Sequence, residues 1–172
     1  IRERFRSMRK AEPAEVIDGF DGSVDDYQVT ADSRRVYFQA EQAGRRKLFV
    51  APLERGAARE VGKLEAGTYA GFSVGGDAKT PVIAAGWGSA VRPTEIGRVD
   101  AARGQWRALS SFNAARAAQI DWQPLQEFWF DSQRGRRIHS FVVLPPGFDA
   151  SREYPLFVLI HGGPHTMYID EF

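Results

Sequence analysis

Short runs rich in β-branched and aromatic residues occupy the first two thirds of the chain, and such runs are typical of half-buried β-strands. Four of them, joined by turn-forming residues, fall at 27–30, 35–40, 47–51 and 58–61. Four more fall at 68–74, 80–85, 94–100 and 105–109. Residues 15–18 are expected to form the last strand of a unit that precedes these eight.

The two groups of four strands repeat each other. Asp32 and Asp77 stand in matching turns 45 residues apart, and Gly56 and Gly104 stand in matching turns 48 residues apart. A period of about 40–50 residues with four strands per unit is typical of β-propeller blades. A sandwich of two four-stranded sheets is the alternative, and the repeat length favours the propeller.

Beyond the second repeat the pattern changes. Residues 111–126 are rich in alanine without a clean period, and we interpret them as a linker with one helical turn at 114–118. Residues 127–130 and 137–144 then predict a hairpin. Residues 155–160 are apolar throughout, as are strands buried on both faces in a parallel sheet covered by helices. The sequence therefore predicts a second architecture after the linker.

Composition and charge narrow the classes of protein. Among 172 residues, 23 Lys and Arg face 22 Asp and Glu, so the formal net charge of +1 gives no reason to expect nucleic acid or membrane as a partner. Cysteine is absent, which excludes disulfides, a thiol nucleophile and cysteine-bound zinc. No apolar run approaches the roughly 18 residues of a membrane span, and we find no signal peptide. The cytoplasm and the periplasm both stay open as compartments.

The candidate chemistry follows the apolar run directly, at His161-Gly162-Gly163-Pro164. A loop that leaves the carboxyl end of a central parallel strand lies at the edge where α/β folds bind ligands. Glycines let the backbone approach a substrate closely, and an exposed backbone N–H can donate to the oxyanion that develops in acyl transfer. An ordinary Gly-Gly-Pro turn is the alternative, but the hairpin and apolar strand before it favour an oxyanion hole.

Several stretches resemble the prolyl oligopeptidase family of serine peptidases. Residues 154–165 resemble its third hydrolase strand and oxyanion loop, in particular those of bacterial dipeptidyl-peptidase-like and acylaminoacyl-peptidase-like members. The stretches 128–130, 135–138 and 144–149 resemble the first hairpin of the same domain. The segment 23–27, followed by Ala31-Asp32-Ser33, resembles a blade turn of the family's propeller.

The resemblance implies a mainly β chain in which the last blades of a β-propeller are followed by the first strands of a truncated α/β-hydrolase domain. The blades would occupy 1–110, the linker 111–126 and the start of the hydrolase (peptidase) domain 127–172. The parent enzyme would hydrolyse short peptides through an acyl-enzyme without a cofactor. The remainder of the hydrolase domain, or a second chain, would cover the open sheet edges.

The resemblance also implies roles for the loop residues. Gly163, with Gly162, would form the oxyanion hole, His161 and Pro164 would shape the loop, and His165 would lie near the substrate. The family's serine lies in a Gly-x-Ser-x-Gly elbow downstream of the oxyanion loop, and no such motif follows the loop in this chain, since Gly71-Phe72-Ser73-Val74-Gly75 precedes it within a predicted blade strand. Because the triad is absent and both chain ends are interpreted as cut, the chain alone is expected to be inactive.

Other chemistry-bearing residues receive structural interpretations. His139 lies in the predicted hairpin and is expected to be structural. No metal site is expected at His161 and His165, because no third ligand stands near them in the sequence. Asp170 and Glu171 are expected to be solvated. Core or inter-blade packing is expected for the four tryptophans, Trp87, Trp106, Trp122 and Trp129. An esterase of the same fold and a propeller that binds proteins without catalysis stay open as alternative functions.

Overall fold

The computed structural model describes residues 17–77, 79–101, 103–163 and 166–172. Nearly all of its regular elements are strands. They are β1 (Ile17–Asp18), β2 (Val24–Val29), β3 (Arg35–Gln42), β4 (Arg45–Pro52), β5 (Gly56–Ala57), β6 (Arg59–Glu60), β7 (Thr68–Gly76), β8 (Pro81–Ser89), β9 (Arg92–Asp100), β10 (Gln105–Ala108), α1 (Ala114–Ala117), β11 (Gln126–Asp131) and β12 (Arg137–Val142). Within these ranges, no helix is long and apolar enough to cross a membrane.

Eight of the strands form two antiparallel sheets of four. Their orders are β2-β3-β4-β6 and β7-β8-β9-β10, so strands that follow one another in each sheet are hydrogen-bonded neighbours. We call them blade 1 (24–60) and blade 2 (68–108). The eight strands predicted for the two repeats are confirmed, and each repeat is a four-stranded meander of the kind that forms a propeller blade.

The turns of the two blades match as predicted. Asp32 lies between the first two strands of blade 1, and Asp77 lies between the first two strands of blade 2. Each carboxylate accepts a hydrogen bond from the backbone N–H two residues later, at 3.2 Å for Asp32 and 2.8 Å for Asp77. Gly56 and Gly104 likewise lie between the third and last strands of their blades. Local turn chemistry therefore fixes where each repeat begins.

The main core lies between the blades. Its buried members come from both sheets and are Tyr37, Leu48, Val50, Val61, Tyr69, Ile83, Ala85 and Val99. At the first strands of the blades, the Gln28 amide donates to the Phe72 carbonyl at 3.0 Å and accepts from the Val74 N–H at 2.8 Å. The half-buried amide is thus satisfied at both its oxygen and its nitrogen, and it fixes β2 against β7.

Blade 1 is covered on both faces. A second cluster on the face away from blade 2 contains Val36, Phe38, Ala40, Phe49 and Ala51. Phe20 packs edge-on against Phe38 and Phe49, with both ring centroids 5.1 Å away. A sheet of a two-sheet sandwich buries one face only. Blade 1 is therefore an inner layer, which fits the predicted propeller and not the sandwich.

Two strand predictions need correction. The strand predicted at 80–85 ends too early, because β8 extends to Ser89 and Trp87 pairs with both neighbouring strands. The segment 23–27, predicted as part of a blade turn, lies mostly in β2, where it pairs with β3. Of the strand predicted at 15–18, only Ile17–Asp18 is described, as β1, and it pairs in parallel with β5. Residues 15 and 16 lie outside the described residues.

The predicted linker is held to blade 2 by Glu95. Its carboxylate, 3% exposed, accepts hydrogen bonds from the N–H groups of Asn113 and Phe112 at 2.7 and 3.0 Å, and from the Ser110 hydroxyl. The Ser110 bond, followed by these N–H donors, lowers the pKa of Glu95. The helical turn predicted nearby is confirmed as α1, which begins directly after Asn113.

The apolar run 155–160 is not a buried strand in this structure, which corrects the sequence prediction. It pairs with no described strand, and the exposed fraction of its side chains is 69% at Val158 and 86% at Ile160. A strand of this composition is buried only when strands flank it and helices cover both faces. The described part of the chain places neither around it.

Candidate active site

The double-glycine loop exposes its backbone. Gly163 has a φ of +77°, in the left-handed region that favours glycine, and both glycines are solvent-exposed. A Cβ added at Gly162 would meet no atom within 4 Å. No described residue accepts a hydrogen bond from the Gly163 N–H. The backbone here can be approached by another molecule. Pro164 and His165 lie outside the described residues.

The two ends of this loop are tied together by side chains. The Thr166 hydroxyl donates to the Gly162 carbonyl and lies 3.3 Å from His161 Nδ1. The His161 ring meets the Tyr168 ring edge-on, with centroids 5.8 Å apart. The loop therefore has internal contacts that restrict the backbone at Gly162 without covering it.

Asp170 is buried, so the prediction that its side chain is solvated is wrong. Its carboxylate accepts the N–H of Gly67 at 2.5 Å and the N–H of Ala90 at 2.9 Å. Its own N–H donates to the Gly44 carbonyl at 2.8 Å. Burial of the carboxylate is possible because both oxygens have donors. Glu171, its neighbour, is exposed as expected.

The three backbone partners of Asp170 lie at one end of the blades. Gly44 is in the β3–β4 turn, Ala90 is in the β8–β9 turn, and Gly67 ends the connection from blade 1 to β7. In stacked antiparallel meanders, these turns fall on the same side. We call this side the Gly44 end of the blades. The segment that follows the double-glycine loop is thereby attached to it.

The β11–β12 hairpin contacts the same end. Its Glu127 carboxylate forms an ion pair with the Arg45 guanidinium of blade 1. His139 Nε2 lies 3.4 Å from the other Glu127 oxygen, and the His139 ring stacks on Trp129 with centroids 4.4 Å apart. His139 therefore contacts the hairpin and Glu127, as a structural residue would.

The charges at this junction favour ionised Glu127. Burial acts to raise the pKa of its carboxyl, but the hydrogen bond and charge of Arg45, with a smaller contribution from His139, outweigh burial and lower that pKa. A cavity of about 390 Å³ opens beside the pair, and its lining includes Arg45, Glu65, Ser89, Leu125, Glu127 and Asp170.

The four tryptophans lie in three environments. Trp87 and Trp106 pack against the inter-blade core with ring centroids 5.3 Å apart, as predicted. Trp122 of the linker meets the Phe172 ring edge-on at 4.8 Å. Trp129 is 45% exposed and stacks on a histidine, so the expectation of core packing is wrong for this residue.

Comparison with known proteins shows which peptidases the chain is similar to. No protein-family model matches it. Dipeptidyl-peptidase 5 of Porphyromonas gingivalis is 30% identical over 147 residues, which are 86% of this chain and 21% of that protein. Dipeptidyl-peptidase 5 of Schizosaccharomyces pombe is 47% identical over 47 residues, 27% of this chain and 7% of that protein. This similarity, over most of the chain, supports a fragment of a prolyl oligopeptidase-family peptidase.

Solved structures of prolyl oligopeptidase-family peptidases share the fold. Acylaminoacyl peptidase of Pyrococcus horikoshii superimposes with a TM-score of 0.70 at 24% identity, over 89% of this chain and 22% of that one. Dipeptidyl peptidase 4 of Porphyromonas gingivalis gives 0.55 at 21% identity, over 81% of this chain and 20% of that one. They confirm the mainly β fold with propeller-like blades. The chain spans about a fifth of the length of the family relatives it matches.

Sequence reasoning missed two long-range features of the chain. The Arg45–Glu127 pair joins residues 82 positions apart, and Asp170 reaches partners 80 and 103 positions away. Acidic residues next to a basic turn or at a chain end carry no local pattern that distinguishes a buried partner from a solvated one. The apolar neighbours of Asp170, Ile169 and Phe172, were the only hint of burial in the sequence.

Proposed function

We propose that the chain is part of a serine peptidase in which residues 161–168 form the oxyanion loop. The observation that carries the proposal is the backbone of Gly163. Its N–H is exposed, is used by no described acceptor and lies on a residue with φ +77°. The names of the relatives, dipeptidyl-peptidase and acylaminoacyl peptidase, support peptide hydrolysis.

In the proposed reaction, a serine elsewhere in the peptidase attacks the carbonyl carbon of the scissile bond while a histidine takes the hydroxyl proton. The carbonyl oxygen becomes an oxyanion, to which the Gly163 N–H donates a hydrogen bond. The C–N bond then breaks, the histidine passes its proton to the leaving amine, and water hydrolyses the acyl-enzyme. One such donor contributes roughly 2.7–4 kcal/mol to transition-state stabilisation.

We also propose the domain organisation and the substrate class. Blades at 1–110 and the linker at 111–126 would precede a hydrolase domain that begins at 127–172. The run 155–160 would become its central strand once neighbouring strands and helices cover it, and its exposed apolar side chains support that arrangement. Contact of the hairpin and Asp170 with the Gly44 end supports a loop close to the propeller, where short peptides would have access.

The Gly163→Ala substitution in the intact peptidase tests the loop. Alanine has room there, because the nearest described side-chain atom to a new Cβ would be Thr166 Oγ1 at 3.6 Å, so its effect comes from the disfavoured φ. A shift of the amide should lower kcat on a peptidyl-naphthylamide about tenfold to a hundredfold. Gly147→Ala is the matched control, since Gly147 also has a positive φ, +65°, and open space.

Three results would contradict the proposal. Equal kcat for the Gly163 and Gly147 variants would remove Gly163 from the oxyanion hole. Failure of a fluorophosphonate to label the intact protein, together with no peptide cleavage, would exclude a serine peptidase and favour a binding propeller. Cleavage of ester but not peptide substrates would favour an esterase.

A further inference from the structure

Asp170 joins the double-glycine loop to the blades. We propose that it is a positioning residue for the peptidase reaction, which fixes the Gly163 N–H relative to the propeller. This inference rests on the function proposed for Gly163 and adds a residue outside the loop. Asp170 itself would touch no substrate, because both its carboxylate oxygens are used by backbone donors.

The first step of the argument is the geometry of the attachment. Asp170 is 9% exposed and bonds to one turn of blade 1, one turn of blade 2 and the connection between the blades. A carboxylate that accepts two N–H groups makes charge-assisted bonds, which are about twice as strong as neutral ones. A single residue therefore attaches the chain to both blades, through its backbone N–H to blade 1 and through its carboxylate to blade 2 and the connection.

The second step is the path from Asp170 to the loop. Asp170 lies seven positions after Gly163, and contacts within that stretch shorten its free length. Tyr168, two residues before Asp170, packs on His161, and Thr166 bonds the Gly162 carbonyl. On the other side, Phe172 packs on Trp122 of the linker. Asp170 thus attaches the C-terminal half of the loop to the blades, and loss of its bonds would free that half.

The third step concerns the carboxylate. In Asp170→Asn, one oxygen is replaced by an NH₂ group of nearly the same size, which cannot accept either N–H. Either the buried Gly67 donor or the half-buried Ala90 donor then loses its partner, which is unfavourable. The variant keeps the volume of the site and removes one bond of the attachment.

Kinetics of the intact peptidase test the positioning role. Asp170→Asn should lower kcat about tenfold to a hundredfold and change KM less than about threefold, because misplacement of an oxyanion donor affects the transition state and not substrate binding. Glu171→Gln is the matched control, since it makes the same charge change at the adjacent exposed residue. Loss of kcat in both variants, or in neither, would overturn the proposal.

Hydrogen exchange tests the attachment without catalysis. In the wild-type protein the Gly67 and Ala90 amides should exchange slowly, and Asp170→Asn should accelerate at least one of them while Glu171→Gln leaves both unchanged. Fast exchange in the wild type would overturn the attachment, even if the variant failed to fold. Accelerated exchange with unchanged kcat would overturn the positioning role alone. Protected amides in a wild type that cleaves no peptide would overturn the proposed function, and with it the role of Asp170.

Discussion

The Phe141 ring lies directly against Gly44, so that a Cβ built on this glycine would fall 2.3 Å from Phe141 Cζ. Gly44 and Ala43 form the two-residue turn between β3 and β4, with φ values of +70° and +49°. Both values suit a type I′ hairpin turn, which matches the twist of the strands. The β11–β12 hairpin therefore rests on blade 1 at a position where any side chain would intervene.

Gly44→Ala should destabilise the protein more than a positive φ alone requires. The alanine suffers the φ penalty of about 1–2 kcal/mol and must also displace Phe141. Gly135→Ala is the control, because Gly135 has a φ of +67° and nothing within 4 Å of its Cβ position. Urea unfolding should show an additional loss of at least about 1 kcal/mol for Gly44→Ala. Equal losses would mean that the hairpin does not pack on this turn in solution.

The Arg45–Glu127 pair should make stability depend on pH in the acid range. The pKa of Glu127 is lower in the folded protein than the roughly 4.3 of an unfolded glutamate. The contribution of Glu127 to the free energy of unfolding is therefore complete above the unfolded pKa and is lost as pH falls through the folded pKa. Glu127→Gln should destabilise by about 1 kcal/mol at pH 7 and by much less at pH 3.

The control for this prediction is Glu65→Gln. Glu65 pairs with Lys63 at 3.1 Å, but both side chains are mostly exposed, so removal of its charge should have little effect at either pH. Thermal melts at both pH values provide the measurement. A deficit for Glu127→Gln that persists unchanged at pH 3 would contradict the assignment.

Glu95→Gln should release the start of the linker from blade 2. The two carboxylate oxygens of Glu95 accept hydrogen bonds from Ser110, Phe112 and Asn113. A glutamine side chain has only one acceptor oxygen, so at least one of these donors loses its partner. Exchange of the Phe112 and Asn113 amides should therefore accelerate, and limited proteolysis within 111–126 should become faster. The exposed Glu54 provides the matched Glu→Gln control. Unchanged exchange at both amides would show that Glu95 does not hold the linker.

The burial of Tyr69 in the inter-blade core should make the stability of the protein depend on pH in the alkaline range. Burial, and then the charge of Glu60, raise the pKa of this phenol to about 12, against about 10 in an unfolded chain. The protein should therefore lose stability as pH rises from about 10 to about 12, by at most about 1.4 kcal/mol per pH unit for this proton. Tyr69→Phe should reduce that slope, whereas substitution of Tyr27, which is 65% exposed, should not. Identical slopes in all three proteins would refute the burial of Tyr69.

The blades could be predicted because their information is local. Short apolar–polar runs define each strand, and Asp32 and Asp77 bond to residues two positions away. The length of the repeat then distinguishes propeller from sandwich without any knowledge of long-range contacts. The end of β8 was misjudged because Gly86 and Gly88, which resemble loop residues, lie in a strand paired on both sides.

The candidate site could be predicted only in part. The double glycine and its positive φ follow from the residues themselves, whereas the burial of 155–160 depends on neighbours that no local pattern supplies. Asp170 was misjudged for the same reason, since its two N–H partners belong to blade 2 and the connection before it. The burial of a residue whose partners lie far away in the sequence can be determined only from the three-dimensional structure.

Blade 1 and blade 2 differ in how many faces they bury, and this difference governs which substitutions each can accumulate. In β3, five consecutive side chains from Val36 to Ala40 are buried, so a polar replacement at any of them meets a packed layer. In β9, buried and exposed positions alternate, and Thr94, Ile96 and Arg98 face outward. Within the described chain, a polar replacement should therefore cost less stability at every second position of β9 than in the middle of β3.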